Sequence, residues 1–233
     1  MANKLADRLL ATTLDNSDFG FRLGIGLHVY ADTWAHQEFA GLNAALNKVQ
    51  SLLFANQGSL IEKAVGELIG ANTALNKLVE MVNPLGHVAA VHCPDMPFLW
   101  WRSSDHFKEG RKNWDEFLEA SEKIFRILQS VSCEPVTGLS ERQQELLLEC
   151  FKGIQSDDID VRYQEWMKRI HSNYFEIEDF NDEDAEVEYS AGTIINDLNF
   201  RTQFYEELND HFDWVRQELL AAGINVLQEE AIY

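Results

Sequence analysis

The stretch that indicates both the fold class and a candidate site is Leu27-His28-Val29-Tyr30-Ala31-Asp32-Thr33-Trp34-Ala35-His36. In it, ligand-type side chains recur every fourth residue among apolar and small ones, at His28, Asp32 and His36. At 3.6 residues per turn, this spacing places the three along one stripe of an α-helix. Two imidazoles and a carboxylate on a half-buried helix face are typical of metal ligands.

The composition predicts a folded and largely helical chain. Its 45% hydrophobic content and six tryptophans exclude a disordered chain, while four prolines and 13 glycines are too few for a turn-dense β architecture. The apolar residues follow the helical period and predict helices near 2–12, 18–54, 60–82, 106–131, 140–152, 157–172 and 198–222. No strand is predicted, and residues 98–105 are expected to be irregular. We therefore predict an all-α protein, a bundle of about six or seven helices.

A change in composition divides the chain near residue 132. The segment from Ser132 to Ser140 contains Pro135 and Gly138 and is the best candidate boundary. We predict a helical core over residues 1–131 that carries the metal site. Residues 132–233 form an acidic helical region that completes the same bundle. The acidic run at 176–186 is expected to be a solvated loop, because like charges repel in a packed unit.

The net charge of −20 is unevenly distributed. Residues 1–130 contain 15 acids and 12 bases, whereas residues 131–233 contain 24 acids and 7 bases. Such a surface repels nucleic acids and anionic membranes, so we expect neither as a partner. A small anionic substrate or a basic protein remains as the expected partner. Three widely spaced cysteines and no signal peptide or membrane span predict a cytoplasmic location. The sequence does not predict an oligomeric state.

A second group of ligand-type residues follows at His87, His92 and Asp95. One helix cannot complete a catalytic metal site, because such sites usually take three or more protein ligands. We therefore predict that six residues bind metal: His28, Asp32, His36, His87, His92 and Asp95. Five of the seven histidines lie between residues 28 and 106. This concentration suits a divalent ion such as Zn²⁺, or else Mn²⁺ or Fe²⁺, better than Ca²⁺, which prefers oxygen ligands.

The spacing on the first helix leaves more than one arrangement open. Residues four apart can share one ion, as in the HExxH motif, whereas residues eight apart reach a common ion poorly. Either two of the three residues hold one ion, or Asp32 bridges two ions about 3.5–4 Å apart, and we favour the bridged pair. Without a metal, His28, Asp32 and His36 would form a hydrogen-bonded triad.

Two catalytic roles are predicted in addition to the ligands. Asp95 is either a ligand or the base that orients the attacking water. Arg111, early in the third long helix, is expected to bind an anionic group of the substrate, and the alternative is an ion pair with a neighbouring acid. Asp105 and His106 form a weaker candidate pair of ligands. His171 and His211 are expected to be structural or surface residues.

Three segments together resemble an uncharacterised bacterial family of all-helical proteins. They are LHVYADTWAHQEFAG at 27–41, NPLGHVAAVHCPDMPFLWW at 83–101 and GRKNWDEFLEASEKIF at 110–125. They match the patterns H-x3-D-x3-H, G-H-x4-H-x2-D and R-x-N-x3-F. The resemblance implies that the six ligand-type residues belong to one site, and it implies no activity.

The H-x3-D helix is also distantly similar to that of zinc-dependent phospholipase C and related nucleases, which are all-α phosphoesterases. This similarity implies zinc ligands at His28 and Asp32, with His36 in place of a later histidine, although the spacing after Asp32 is shorter here. The HD-type phosphohydrolases are a second all-α comparison, but this chain lacks their adjacent His-Asp dipeptide. Both similarities are at the level of the fold.

Two ligand clusters in one chain predict a metal-dependent hydrolase with a phosphoester as the expected substrate. The alternative is a non-catalytic interaction protein, in which the acidic second half binds a basic partner and a metal is structural or absent. A di-iron site is a third alternative, but such sites favour Glu-x-x-His pairs. That spacing does not occur in the first 130 residues.

Overall fold

The computed structural model describes residues 2–11, 19–39, 53–54, 93–103, 107–185 and 198–224. The structure is mostly helical, which confirms the predicted all-α class. The α-helices are α1 (Ala2–Leu10), α2 (Phe19–Ala35), α3 (Asn113–Val131), α4 (Glu141–Gly153), α5 (Ile159–His171), α6 (Asp182–Ala185) and α7 (Leu198–Ala221). The other elements are a 3-10 turn (Cys93–Asp95) and the strands β1 (Leu53–Phe54), β2 (Trp100–Arg102) and β3 (Arg111–Lys112). Within these ranges, no helix is both long and apolar enough to cross a membrane.

Helix boundaries in the second half of the chain confirm the sequence prediction. Helices α4, α5 and α7 begin and end within two residues of their predicted bounds. Before α4, the Ser140 side chain accepts the N–H of Gln143, whose side chain in turn accepts the N–H of Ser140. Before α5, the Asp158 carboxylate accepts the N–H of Asp160. Such caps satisfy N–H groups that the first helical turn leaves unbonded, and they are visible in the sequence.

Two helix predictions in the first half are wrong in their extent. The helix predicted at 18–54 ends at Ala35, and the helix predicted from residue 106 begins at Asn113. The helix predicted at 60–82 lies outside the described residues. The end of α2 depends on the side chain of Arg111 from a distant segment, so local patterns in the sequence do not reveal it.

A small antiparallel sheet occupies the region that was expected to be irregular. Strand β2 pairs with β1 on one side and with β3 on the other, so that Trp101 lies opposite both Phe54 and Arg111. Strands of two or three residues are too short to show the alternating pattern by which strands are recognised. Gly110, with φ +92°, leads into β3, and a Cβ atom there would lie 2.2 Å from the Trp100 ring. This turn therefore requires glycine.

The chain divides into two compact units. The first consists of Met1–Ala31, Ile124–Val136 and Val187–Tyr233, and the second of Asp32–Lys123 and Thr137–Glu186. Helices α2 and α3 contribute residues to both units. The domain boundary predicted between residues 131 and 132 stays a prediction.

The first unit has an apolar core and a buried ion pair. Its core consists of Leu5 and Leu9 of α1, Tyr30 of α2, and Ile127 and Val131 of α3. Glu207 of α7 is 8% exposed, and each of its carboxylate oxygens accepts a 2.8 Å bond from Arg22 of α2. Nearby on α7, burial and the charge of Arg8 lower the pKa of His211.

The second unit packs its core around Trp101, which is fully buried. Its neighbours in this core are Cys93, Met96, Phe98 and Leu99, with Phe39 and Phe107 packed against them. A row of aromatic rings links α3, α4 and α5. Phe117, Phe151, Trp166 and Phe175 follow one another with centroid separations of 5.8, 5.6 and 6.1 Å.

Candidate functional site

A buried arginine from β3 terminates α2. Arg111 is 3% exposed and donates from Nη1 to the carbonyl of Ala35 at 2.6 Å and from Nη2 to the carbonyl of Trp34 at 2.7 Å. Carbonyls in the last turn of a helix have no donor within the helix, so the guanidinium replaces the bonds that further helix would supply. The chain turns directly afterwards, at His36. This long-range cap is the physical reason that α2 ends at Ala35.

The charge of Arg111 is balanced by acids around it. Burial lowers the pKa of Arg111, while the carboxylates of Glu116, Asp95 and Glu38 act in the opposite direction. The guanidinium carbon lies 5.0 Å from the centre of the Phe107 ring, a cation–π distance. Arg111 is therefore enclosed by helix carbonyls, acids and an aromatic ring.

Asn113 shapes the turn that carries Asp95. The Asn113 side chain is fully buried, and its Nδ2 donates to the carbonyls of Cys93 at 2.6 Å and Met96 at 2.8 Å. Its Oδ1 accepts the indole N–H of Trp101 at 3.0 Å. Because the two carbonyls flank Asp95, one amide group fixes the backbone on both sides of that residue.

His36 and Asp95 are in direct contact. The Nε2 atom of His36 lies 2.9 Å from Oδ1 of Asp95, although the residues are 59 positions apart in sequence. An ionised carboxylate can only accept, so in this contact Nε2–H donates. The two side chains are 27% and 38% exposed. The structure thus brings together one residue from each predicted ligand cluster and leaves both accessible to solvent.

Asp95 also lines a cavity of about 260 Å³ in the second unit. Pro97 lies beside it, and the ends of α4 and α5 form the remaining walls. From α4 and the residue after it come Cys150, Phe151 and Ile154, and from α5 come Ile159, Arg162, Tyr163 and Trp166. The cavity is therefore largely apolar, and Asp95 and Arg162 are the charged residues that line it.

Cys150 and Arg162, two of the polar residues that line the cavity, differ in charge. Burial raises the pKa of Cys150 to about 11, so the thiol is neutral near pH 7 and is a poor nucleophile. Arg162 donates from Nη1 to the carbonyls of Ser156 at 2.8 Å and Asp157 at 3.0 Å. These two bonds hold the side chain against its own helix start and fix the position of the guanidinium.

The remaining predicted ligands do not all lie near His36 and Asp95, and some lie outside the described residues. Asp32 is half-buried in the last turn of α2, and its carbonyl accepts the N–H of His36 at 2.9 Å, so the four-residue spacing continues to His36. His28 is exposed and belongs to the first unit. His87 and His92 lie outside the described residues, as does the weaker pair at 105 and 106.

Two further histidines take up structural or surface positions, as predicted. His171, at the end of α5, lies 2.5 Å from a carboxylate oxygen of Asp182 in α6. His211 is 9% exposed and its ring lies 5.8 Å from that of Trp214. Neither belongs to the cavity.

The predicted metal site stays a prediction. Within the ranges that the structure describes, no group of three or more His, Cys, Asp or Glu side chains is arranged to hold an ion. His87 and His92, two of the predicted ligands, lie outside those ranges.

Sequence reasoning missed the residues of α4 and α5 that form the cavity. Phe151, Ile154 and Trp166 follow the helical period and have the pattern of core residues. Arg162 is one of several charged residues in an acidic stretch. Nothing in the sequence distinguishes these residues, because the cavity arises only when two helix ends meet the turn at Asp95.

Comparison with known proteins places the chain in a family. The model of a family of unknown function, DUF6765, matches residues 1–221, so the chain belongs to that family. This agrees with the resemblance to an uncharacterised family. No curated protein and no solved structure matches the chain.

Proposed function

We propose that this member of the DUF6765 family is a metal-dependent hydrolase of phosphoesters, with Asp95 and His36 at its reaction centre. The observation that carries the proposal is the 2.9 Å contact between His36 and Asp95 at the wall of a cavity. Acid–base pairs that join distant segments beside a cavity are typical of catalytic sites.

Asp95 is the group that acts on the attacking water. Its Oδ1 atom accepts the bond from His36, and the residue lines the cavity. In hydrolysis the water oxygen forms a bond to phosphorus and the ester P–O bond breaks. Asp95 accepts one proton of the water, and His36 holds the carboxylate in the orientation that this transfer needs.

A divalent ion is part of the proposal because Asp alone is a weak base. An ordinary aspartate has a pKa of about 3.9, far below the value of about 15.7 for bulk water. A bound Zn²⁺, Mn²⁺ or Fe²⁺ would supply the missing acidity by lowering the pKa of water to about 7. The residues that would hold it are Asp32, His36, His87 and His92, and His36 would use Nδ1 because its Nε2–H donates to Asp95.

Arg111 keeps a proposed role in neutralising charge, but through its position rather than by contact. Both of its Nη atoms bind carbonyls of α2, so its charge acts on Asp95 from behind the turn. A cation there favours the ionised form of the carboxylate, which is the form that accepts a proton.

A second candidate is a non-catalytic protein that binds a basic partner. The charge of residues 131–233, with 24 acids and 7 bases, favours it. In that case a metal would be structural or absent, and no coordination position would be open to substrate. The experiment that follows separates the two candidates.

The test is metal content by elemental mass spectrometry, combined with hydrolysis of 4-nitrophenyl phosphate. Wild-type protein, purified without a tag or chelator, is expected to contain about one or two ions per chain. His36→Gln and Asp32→Ala should lose the metal and the activity. His171→Gln is the matched control, because His171 also contacts an aspartate but lies outside the cavity.

Two results would contradict the proposal. One is wild-type protein that contains no metal after reconstitution with Zn²⁺, Mn²⁺ or Fe²⁺ and hydrolyses no phosphoester. The other is unchanged metal content in both His36→Gln and Asp32→Ala. In either case the contact between His36 and Asp95 would be structural, and salt-dependent binding of a basic polypeptide such as polylysine would become the next measurement.

A further inference from the structure

We propose that the cavity beside Asp95 binds a small phosphate ester whose organic group is an aromatic ring, with Arg162 holding the phosphate. Turnover of such an ester rests on the proposed function, whereas its binding does not. The inference therefore names a substrate class and can be tested separately from catalysis.

The walls of the cavity suit an aromatic ring. Phe151, Ile154 and Trp166 supply an apolar surface, and the first two are only 7% and 6% exposed. Phe151 and Trp166 pack with ring centroids 5.6 Å apart, so this wall is held by its own contacts. A dry cavity of about 150 Å³ can hold benzene. The observed volume of about 260 Å³ therefore accommodates a ring and a tetrahedral anion.

Arg162 has the donors that a phosphate requires. Its Nη1 atom donates to the carbonyls of Ser156 and Asp157. Among the residues that the structure describes, none bonds to Nε or Nη2 of this side chain. Those two atoms form the edge of the guanidinium that binds two oxygens of a phosphate side by side. The bonds at Nη1 restrict the rotation of the side chain, so less conformational entropy is lost on binding.

An aromatic ester also fits the chemistry available at Asp95. Hydrolysis forms a bond from the water oxygen to phosphorus and breaks the bond from phosphorus to the aryl oxygen. One water proton passes to Asp95 and the other stays on the phosphate, while the aryl oxygen leaves with the bonding electrons. A phenol has a pKa of about 10, so a phenolate leaves with little help from an acid. Cys150, which lines the cavity, is a weak acid because burial raises its pKa to about 11.

The competing ligand class is an organic cation. Asp157, Asp158 and Asp160 lie beside the cavity at the start of α5, and aromatic rings with acids nearby can also bind quaternary ammonium groups. The guanidinium of Arg162 within the cavity opposes a cation and favours an anion. A cation is therefore included in the test as a separate ligand.

Binding is measured by isothermal titration calorimetry with phenylphosphonate, whose carbon–phosphorus bond resists hydrolysis. We expect phenylphosphonate to bind at least about 10-fold more tightly than methylphosphonate, because the ring buries apolar surface. Arg162→Gln should weaken phenylphosphonate at least about 10-fold. Arg142→Gln, which removes an exposed arginine that pairs with Glu176 outside the cavity, should bind as the wild type does.

A second pair of variants changes only exposed residues, so that the fold is little disturbed. Ile159 lines the cavity and is 69% exposed, whereas Val161, on the same helix, is 47% exposed and does not line it. Ile159→Glu adds a negative charge at the edge of the cavity and should weaken phenylphosphonate by about 5-fold or more. Val161→Glu makes the same chemical change nearby and should have little effect. Far-UV circular dichroism checks that both variants fold.

Each outcome decides the inference. Tighter binding of phenylphosphonate, weakened in Arg162→Gln and Ile159→Glu but not in the controls, supports it, even if phenyl phosphate is not hydrolysed. Failure to hydrolyse phenyl phosphate would refute the proposed hydrolase activity, but the binding results would still identify the class of ligand that the cavity takes. Equal binding of phenylphosphonate and methylphosphonate, no binding of either, or preference for benzyltrimethylammonium would overturn the inference.

Discussion

Two acid–base contacts in this molecule join segments that are far apart in sequence, but they leave their carboxylates in different states. In the first unit, Glu207 is 8% exposed and both of its oxygens accept bonds from Arg22. In the second unit, Asp95 is 38% exposed, accepts from His36 at one oxygen and lines a cavity. A buried carboxylate with both oxygens bonded by one guanidinium is a structural device, whereas a partly solvated carboxylate that lines a cavity can act on a ligand.

Replacing Asp95 should have the largest effect of these substitutions, and it should lower the activity. We expect Asp95→Asn to lower kcat/KM for a phosphoester about 1,000-fold, equivalent to about 4 kcal/mol, because the amide cannot accept a proton. Its free energy of unfolding should change by less than about 1 kcal/mol, since the side chain is partly solvated. Steady-state kinetics and urea unfolding measure the two quantities. Asp115→Asn, exposed on α3, is the control, and retained activity in Asp95→Asn would refute the role of Asp95.

The turn beneath Asp95 should be the next most sensitive feature. Asn113→Ala leaves the carbonyls of Cys93 and Met96 and the indole N–H of Trp101 buried without their bonds. We expect a loss of about 3 kcal/mol in the free energy of unfolding. Urea denaturation followed by tryptophan fluorescence tests this, with Asn209→Ala on the exposed face of α7 as the control. A change below about 1 kcal/mol would show that Asn113 does not hold the turn.

Replacing Glu207 should lower the stability of the fold without changing the activity. Glu207→Gln removes the buried negative charge that accepts both bonds from Arg22, and we expect the free energy of unfolding to fall by about 2 kcal/mol. The value is below that of a fully buried pair because the Arg22 side chain is 32% exposed. Metal content and hydrolysis should equal those of the wild type. A loss of activity at a temperature where the variant is folded would contradict the distinction between the two contacts.

The smallest expected effect concerns pH and His211. Burial and the charge of Arg8 lower the pKa of His211 in the folded state, so the unfolded chain binds this proton more readily. This histidine therefore favours unfolding as the pH falls below about 6.5, its value in an unfolded chain. Between pH 7.5 and 5.5, His211→Gln should lose less stability than the wild type. Equal pH dependence of the two urea midpoints would contradict this.

The sequence predicts structure well where the cause is local. Ser140 with Gln143 and Asp158 with Asp160 cap their helices within a few residues, and α4 and α5 are predicted accurately. The end of α2 is not predictable in this way, because the group that terminates it, Arg111, lies 76 positions from Ala35. The extent of a helix depends on tertiary contacts as well as on propensity.

The candidate site was likewise predictable from the sequence only in part. The types and spacing of His36 and Asp95 suggested a common site, and the structure brings these two together. The cavity was not predicted, since its apolar walls have the same pattern as core residues. Arg111, expected to bind substrate, contacts carbonyls of α2 in the structure, and Arg162 is the arginine that lines the cavity.

The bonds of Asn113 have a consequence for the order of folding. Its partners lie 12 to 20 positions away in sequence, whereas the contact between His36 and Asp95 closes 59 positions. The entropy lost on closing a loop grows with the logarithm of its length, which makes the longer closure costlier by about 1 kcal/mol. The turn at Asp95 can therefore acquire its shape while His36 is still distant. A folding chain would then present the carboxylate already oriented, and His36 would join it late.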